Sequence, residues 1–118
     1  MGGAVRFPGP ISPPPGLGRT ALPPPRCIAI DVDGTLFHGA QVNERLVSWA
    51  RGRHAAGYQL VVWSMRGTAY AQRAVESAGL ADIVLAAISK PGYLVDNEGW
   101  KWARGTVVVR DLGGANMD

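Results

Sequence analysis

From Cys27 to Ala87, short unbroken apolar runs alternate with stretches of helical periodicity, and that order constrains the fold more than any other feature. Cys27-Ile28-Ala29-Ile30 is a continuous apolar run of strand length, the pattern of a strand buried on both faces. Between Val42 and Ala56, the apolar residues Val42, Leu46, Trp49 and Ala50 fall at i, i+4, i+7 and i+8. That spacing is one face of a helix, and Gly57 stands where a helix C-terminal glycine belongs. Leu60-Val61-Val62-Trp63 predicts a second strand. Thr68 is a candidate cap for a second helix, with Tyr70, Ala74, Val75 and Ala78 turned inward and Gly79 ending it. Ile83 to Ala87, Tyr93-Leu94-Val95 and Thr106 to Val109 read as a third, fourth and fifth strand. Strands and helices alternating in this way imply βαβ units. The expected fold is therefore α/β, a three-layer Rossmann-like sandwich whose mostly parallel sheet carries helices on both faces.

The N-terminal stretch is of a different kind. Eight of the nine prolines fall in residues 1–25, including Pro13-Pro14-Pro15 and Pro23-Pro24-Pro25. Such a stretch lacks amide donors for ladders or helices, so a Pro/Gly-rich, mobile arm is expected there. Pro10 and Pro13 have the spacing of a proline-rich ligand motif, although an uninvolved tail is the plainer reading. The α/β domain is expected over 26–112, followed by a frayed tail over 113–118. A 118-residue chain has room for one core only.

Charge and cysteine content narrow the class. The net charge of +3 comes from Arg6, Arg19 and Arg26, because from Cys27 onward nine basic residues balance nine acidic ones. A neutral domain does not favour nucleic acid as a partner. Cys27 is the single cysteine, which excludes an intrachain disulfide, fits a reducing cytoplasmic setting, and reads as a buried structural thiol. No apolar run reaches membrane-spanning length, and prolines interrupt any secretory core.

Polar residues stand where the strands end. Asp31 and Asp33 follow the first strand, Ser64 the second and Asp96 the fourth, and Lys90 lies between the third and fourth. In a parallel sheet all five are expected on one rim, the carboxyl ends of the strands. That set suits phosphoryl transfer. A carboxylate can attack phosphorus to form an aspartyl-phosphate, and a divalent ion such as Mg2+ offsets the meeting of two anions. A second acid two residues on can serve as general acid and then base. Gly34 permits a tight turn that aims backbone amides at phosphoryl oxygens, and a hydroxyl and a lysine complete the shell.

Asp31-Val32-Asp33-Gly34-Thr35-Leu36 resembles the first motif of the haloacid dehalogenase-like superfamily, which has the form Asp-x-Asp-Gly-Thr. The likeness extends from Cys27 to Glu98. It implies Asp31 as nucleophile and magnesium ligand, and Asp33 as acid/base with its carbonyl on the metal. Gly34 and Thr35 would shape the phosphate loop. Leu60-Val61-Val62-Trp63-Ser64 is similar to the second motif, with Ser64 binding the phosphoryl group. Ser89-Lys90-Pro91 is similar to the third, with Lys90 steadying nucleophile and phosphate. Val95-Asp96-Asn97-Glu98 is similar to the fourth, with Asp96 as metal ligand. Asn97 stands where the family usually carries a second acid; its amide oxygen can ligate magnesium but removes one negative charge.

Thirty residues separate Asp33 from Ser64 and 25 separate Ser64 from Lys90, leaving no room for a cap domain. The resemblance thus implies a capless phosphatase with an open site that admits large phosphorylated substrates. Capless members of that superfamily include polynucleotide-end and protein phosphatases, so a polynucleotide-end phosphatase is one alternative. A catalytically weak phosphate- or metal-binding module is the alternative that Asn97 favours, and a partner-dependent subunit is another. A receiver domain fits poorly, because Ser64 holds the position of its phospho-accepting aspartate. His38 reads as an exposed loop residue near the acids, Arg66 as a substrate-anion grip or surface ion pair, and Trp100 and Trp102 as core cover. The oligomeric state is left open.

Overall fold

The computed structural model describes residues 23, 25–99, 103, 105–114 and 117. Nearly all of the proline-rich arm and the Trp100/Trp102 pair therefore lie outside the described residues.

The chain is α/β. Strand β1 (Cys27–Asp31) leads into a hairpin of β2 (Phe37–His38) and β3 (Gln41–Val42), then helix α1 (Glu44–Ala55). Strand β4 (Gln59–Ser64), helix α2 (Thr68–Ser77), strand β5 (Val84–Ser89) and a 3-10 helix over Val109–Gly114 follow. The main sheet has the order β1-β4-β5, parallel throughout. Two β-helix-β crossovers that step in the same direction must, if both are right-handed, place α1 and α2 on the same face.

The strand side chains bear this out by alternation. Ile30, Leu60 and Val62 are buried, and they join Leu46 and Ala50 of α1 with Ala71, Ala74 and Val75 of α2 in one apolar cluster. On the opposite face Cys27 and Ala29 are exposed and Ile88 is 42% exposed. The expectation of helices on both faces is thus not met among the described residues, which supply one helical layer. For the same reason Cys27 is an exposed thiol rather than a buried one. Period-two alternation sends it away from Ile28 and Ile30.

The fourth and fifth strands do not form. Residues 93–95 have no regular structure, and Tyr93 and Val95 are almost fully exposed. Three apolar residues after Pro91-Gly92 offer too few ladder bonds to offset the entropy of ordering them. Residues 105–108 are likewise irregular, and Val109–Gly114 turns into the 3-10 helix, past the expected domain end at 112. A kink at Asp111 (φ -109°, ψ 21°) divides this segment, and Val109 and Leu112 on either side of it both pack on the core cluster.

The hairpin was not foreseen. Gly39, with φ 62°, opens its two-residue loop, where a type II′ turn calls for glycine. Just beyond it, Asn43 caps α1 by accepting from Leu46 N at 3.1 Å. Its Nδ2 also donates to the Thr35 carbonyl at 3.2 Å, tying the helix start to the loop after β1. Gly57, with φ 99°, closes α1 as expected. No helix among the described residues is long and apolar enough to cross a membrane.

Candidate active site

The carboxyl end of β1 continues into a loop tied by its own backbone. Thr35 N donates to Val32 O at 3.1 Å, Leu36 N to Asp31 O at 3.3 Å, and Gly34 N to Phe37 O at 2.8 Å. Leu36, fully buried, anchors the loop in the core. The amides of Gly34 and Thr35 are therefore engaged within the loop and do not face outward as expected. The value of Gly34 is conformational: its φ is 75°, and a Cβ there would meet nothing within 4 Å. Gly34→Ala is accordingly expected to lower stability by about 1–2 kcal/mol through left-handed strain alone, measured as a shift in urea midpoint.

Both oxygens of Asp31 are held. Lys90 Nζ lies 3.2 Å from Oδ1, and Thr35 Oγ1 donates to Oδ2 at 3.3 Å. The Lys90 and Asp31 side chains are each 33% exposed, so the pair is shielded yet reachable from solvent. Lys90 reaches Asp31 because two hydrogen bonds fix the end of β5. Lys90 N donates to Ser64 O at 3.0 Å, and Ser89 N donates to Thr68 Oγ1 at 3.0 Å. Thr68 is thus not the cap of α2, a place taken by Gly67; its hydroxyl faces the neighbouring strand end instead. Ser64 is buried, its Oγ accepting from Arg66 N at 3.0 Å. That bond makes a tight turn, and it places the serine hydroxyl at the strand end one position from the Trp63 that pairs with Asp31.

Asp33 has a separate set of partners. Tyr70 Oη donates to its Oδ1 at 2.6 Å, and Arg66 Nη1 lies 3.7 Å from its Oδ2. Arg66 also donates to Tyr70 Oη at 3.2 Å and covers the ring at 4.2 Å from its centre. The hydrogen bond to Asp33 holds the Tyr70 phenol above its ordinary pKa, with burial adding to the effect, so it remains a proton donor. Pattern reading set Tyr70 on the inward face of α2, which its ring obeys; the hydroxyl at its tip went unread.

Asp96 and Asn97 are not brought to this cluster. They lie in an exposed, irregular stretch in which Asp96 Oδ1 accepts from Glu98 N at 3.3 Å. Among the described residues no three His, Cys, Asp or Glu side chains gather into one group that could hold a metal ion. Of the five strand-end residues expected on one rim, Lys90 meets Asp31 and is tied through its backbone to Ser64, Asp33 turns to Tyr70 and Arg66, and Asp96 lies in an irregular stretch because the strand meant to carry it does not form. The donors at β1 are still all oxygens, and Mg2+ is commonly held by one or two carboxylates, with water and substrate phosphate supplying the rest. Asp31 and Asp33 fit that minimal set.

The surroundings are open. A shallow groove lined by Tyr58, Gln59, Val84 and Leu85 lies at the amino ends of β4 and β5, away from the acids. No family model, no curated protein and no solved structure matches this chain.

Proposed function

We propose that the chain is a magnesium-dependent phosphomonoester hydrolase, a phosphatase of haloacid dehalogenase-like type that works through an aspartyl-phosphate on Asp31. The observation that carries this reading is the grip on Asp31. A strand-end carboxylate is held at one oxygen by Lys90 and at the other by Thr35, with a second acid two residues on. A nucleophile gains from such a hold, since a reacting group aligned in advance needs no reorganisation.

In this mechanism an Asp31 oxygen attacks phosphorus while the bond to the ester oxygen breaks. Asp33 gives the leaving oxygen its proton and later takes one from the water that splits the aspartyl-phosphate. Lys90 compensates charge on the nucleophile and on the phosphoryl oxygens, and the Ser64 hydroxyl donates to the same group. The Asp31 carboxylate and the Asp33 carbonyl would hold Mg2+, which when bound neutralises phosphate charge. A Rossmann-like architecture without a cap belongs to the same reading, as does a cytoplasmic setting. Large phosphorylated substrates suit an open rim, and the neutral balance of charge from Cys27 onward does not favour nucleic acid.

A second reading, a phosphate- or metal-binding module that does not turn over, is favoured by Asn97 and by the exposed, irregular stretch in which it and Asp96 lie. Hydrolysis of an aryl phosphate, with magnesium or with chelator, separates the two. Turnover that depends on the metal is expected. Folded protein that binds inorganic phosphate yet releases no aryl alcohol would establish the module instead.

A further inference from the structure

The hydrolytic scheme assigns Asp33 a proton to give and a proton to take, but leaves its neighbours unexplained. Asp33 is exposed at the head of a loop, where a carboxylate would ordinarily sample several rotamers. Here its Oδ1 accepts from Tyr70 Oη at 2.6 Å, and that oxygen accepts in turn from Arg66 Nη1 at 3.2 Å. The two bonds run in one direction, guanidinium to phenol to carboxylate, so each donor polarises the next. The Tyr70 ring packs on the core cluster and carries Arg66 on one face, so the position of its hydroxyl is set by packing.

We propose that Tyr70 is a positioning residue for Asp33, engaging one carboxylate oxygen so that the other takes the proton of the water that hydrolyses the aspartyl-phosphate. The proposal rests on the hydrolase reading above. In that step the water oxygen bonds to phosphorus and the phosphorus–oxygen bond to Asp31 breaks. The Asp31 carboxylate is regenerated, hydrogen phosphate departs, and one proton moves from water to Asp33. An aryl ester with a good leaving group needs no proton from Asp33 in the first step. Loss of the Tyr70 hydroxyl therefore slows the second step selectively.

Tyr70→Phe keeps the ring and removes the donor. With 4-nitrophenyl phosphate and magnesium, its kcat is expected to fall about tenfold, a modest share of what a general base contributes. Its kcat/KM, which reports the first step, should stay within about twofold of wild type. Nitrophenolate should then appear as a burst of about one equivalent per protein, matched by acid-trapped phosphoprotein. A kcat equal to wild type, or kcat and kcat/KM falling together without a burst, overturns the assignment. Should the Phe variant fail to fold, Arg66→Gln removes from an exposed position both the donor to the phenol and the cation 3.7 Å from Asp33 Oδ2, and it must show a burst with kcat/KM unchanged; its absence overturns the assignment. Absence of turnover from wild-type protein would bring down the hydrolase reading itself and Tyr70 with it; a normal wild type beside a burst-free variant brings down only Tyr70.

Discussion

Asp31→Asn is expected to leave a folded protein whose phosphatase turnover is lower by roughly a thousandfold or more, because an amide cannot attack phosphorus. The substitution keeps the size of the side chain and can still accept from Thr35, so the loop after β1 has no steric reason to move. Lys90 would lose its counter-charge, but it is a third exposed and solvent can take over much of that role. The melting temperature should therefore stay within a few degrees while the rate collapses. The measurement is initial rate per mole of protein, with circular dichroism alongside. A variant as fast as wild type would mean that Asp31 is not the nucleophile, and the proposed chemistry would have to be abandoned.

The second large effect concerns the core. Leu60 is fully buried in the central strand β4, paired with Ile28 on one side and Val84 on the other. Truncation to alanine removes three carbons from a site walled by two strands and packed under the helices, where little can collapse inward. Leu60→Ala is expected to cost about 2–5 kcal/mol. Against a total stability on the order of 5–15 kcal/mol, that is a large share for one side chain. Urea unfolding should show a lowered midpoint with an unchanged slope. A loss below about 1 kcal/mol would mean that β4 is not the packed centre of this sheet.

The two predictions draw on parts of the chain that were unequally legible. β1, α1, β4, α2 and β5 could be read from the sequence because each has its own apolar period, a local property of consecutive residues. The meeting of Lys90 with Asp31, beside the end of β4 that carries Ser64, follows from the parallel order of those strands. Which face each helix covers is not local. It depends on the direction in which successive crossovers step, so the exposed Ala29 and Cys27 could not be told from buried residues by pattern. Tyr93-Leu94-Val95 has the composition of a strand but only three residues, too few to decide between pairing and exposure. Thr68 and Tyr70 were misread for a different reason. Tyr70 lies on the inward face as its spacing says and Thr68 is the first helical residue rather than the cap, but a hydroxyl chooses its partner in three dimensions, and Ser89 N and Asp33 lie 21 and 37 residues away.

Between Leu60 and Val61 the pairing of β4 with β5 slips by one, so that Leu60 faces Val84 but Val61 faces Ala86. That bulge leaves Leu85 unpaired and 65% exposed, a position where almost any side chain could stand. Beyond it the ladder is regular, and Ser89 stands opposite Ser64, which delivers Lys90 to Asp31. Removing Leu85 would let Val84 and Ala86 pair in succession with Leu60 and Val61, closing the bulge without moving Ser89 or Lys90. The irregularity of β5 is therefore local, and the end of the strand that holds Lys90 does not depend on it.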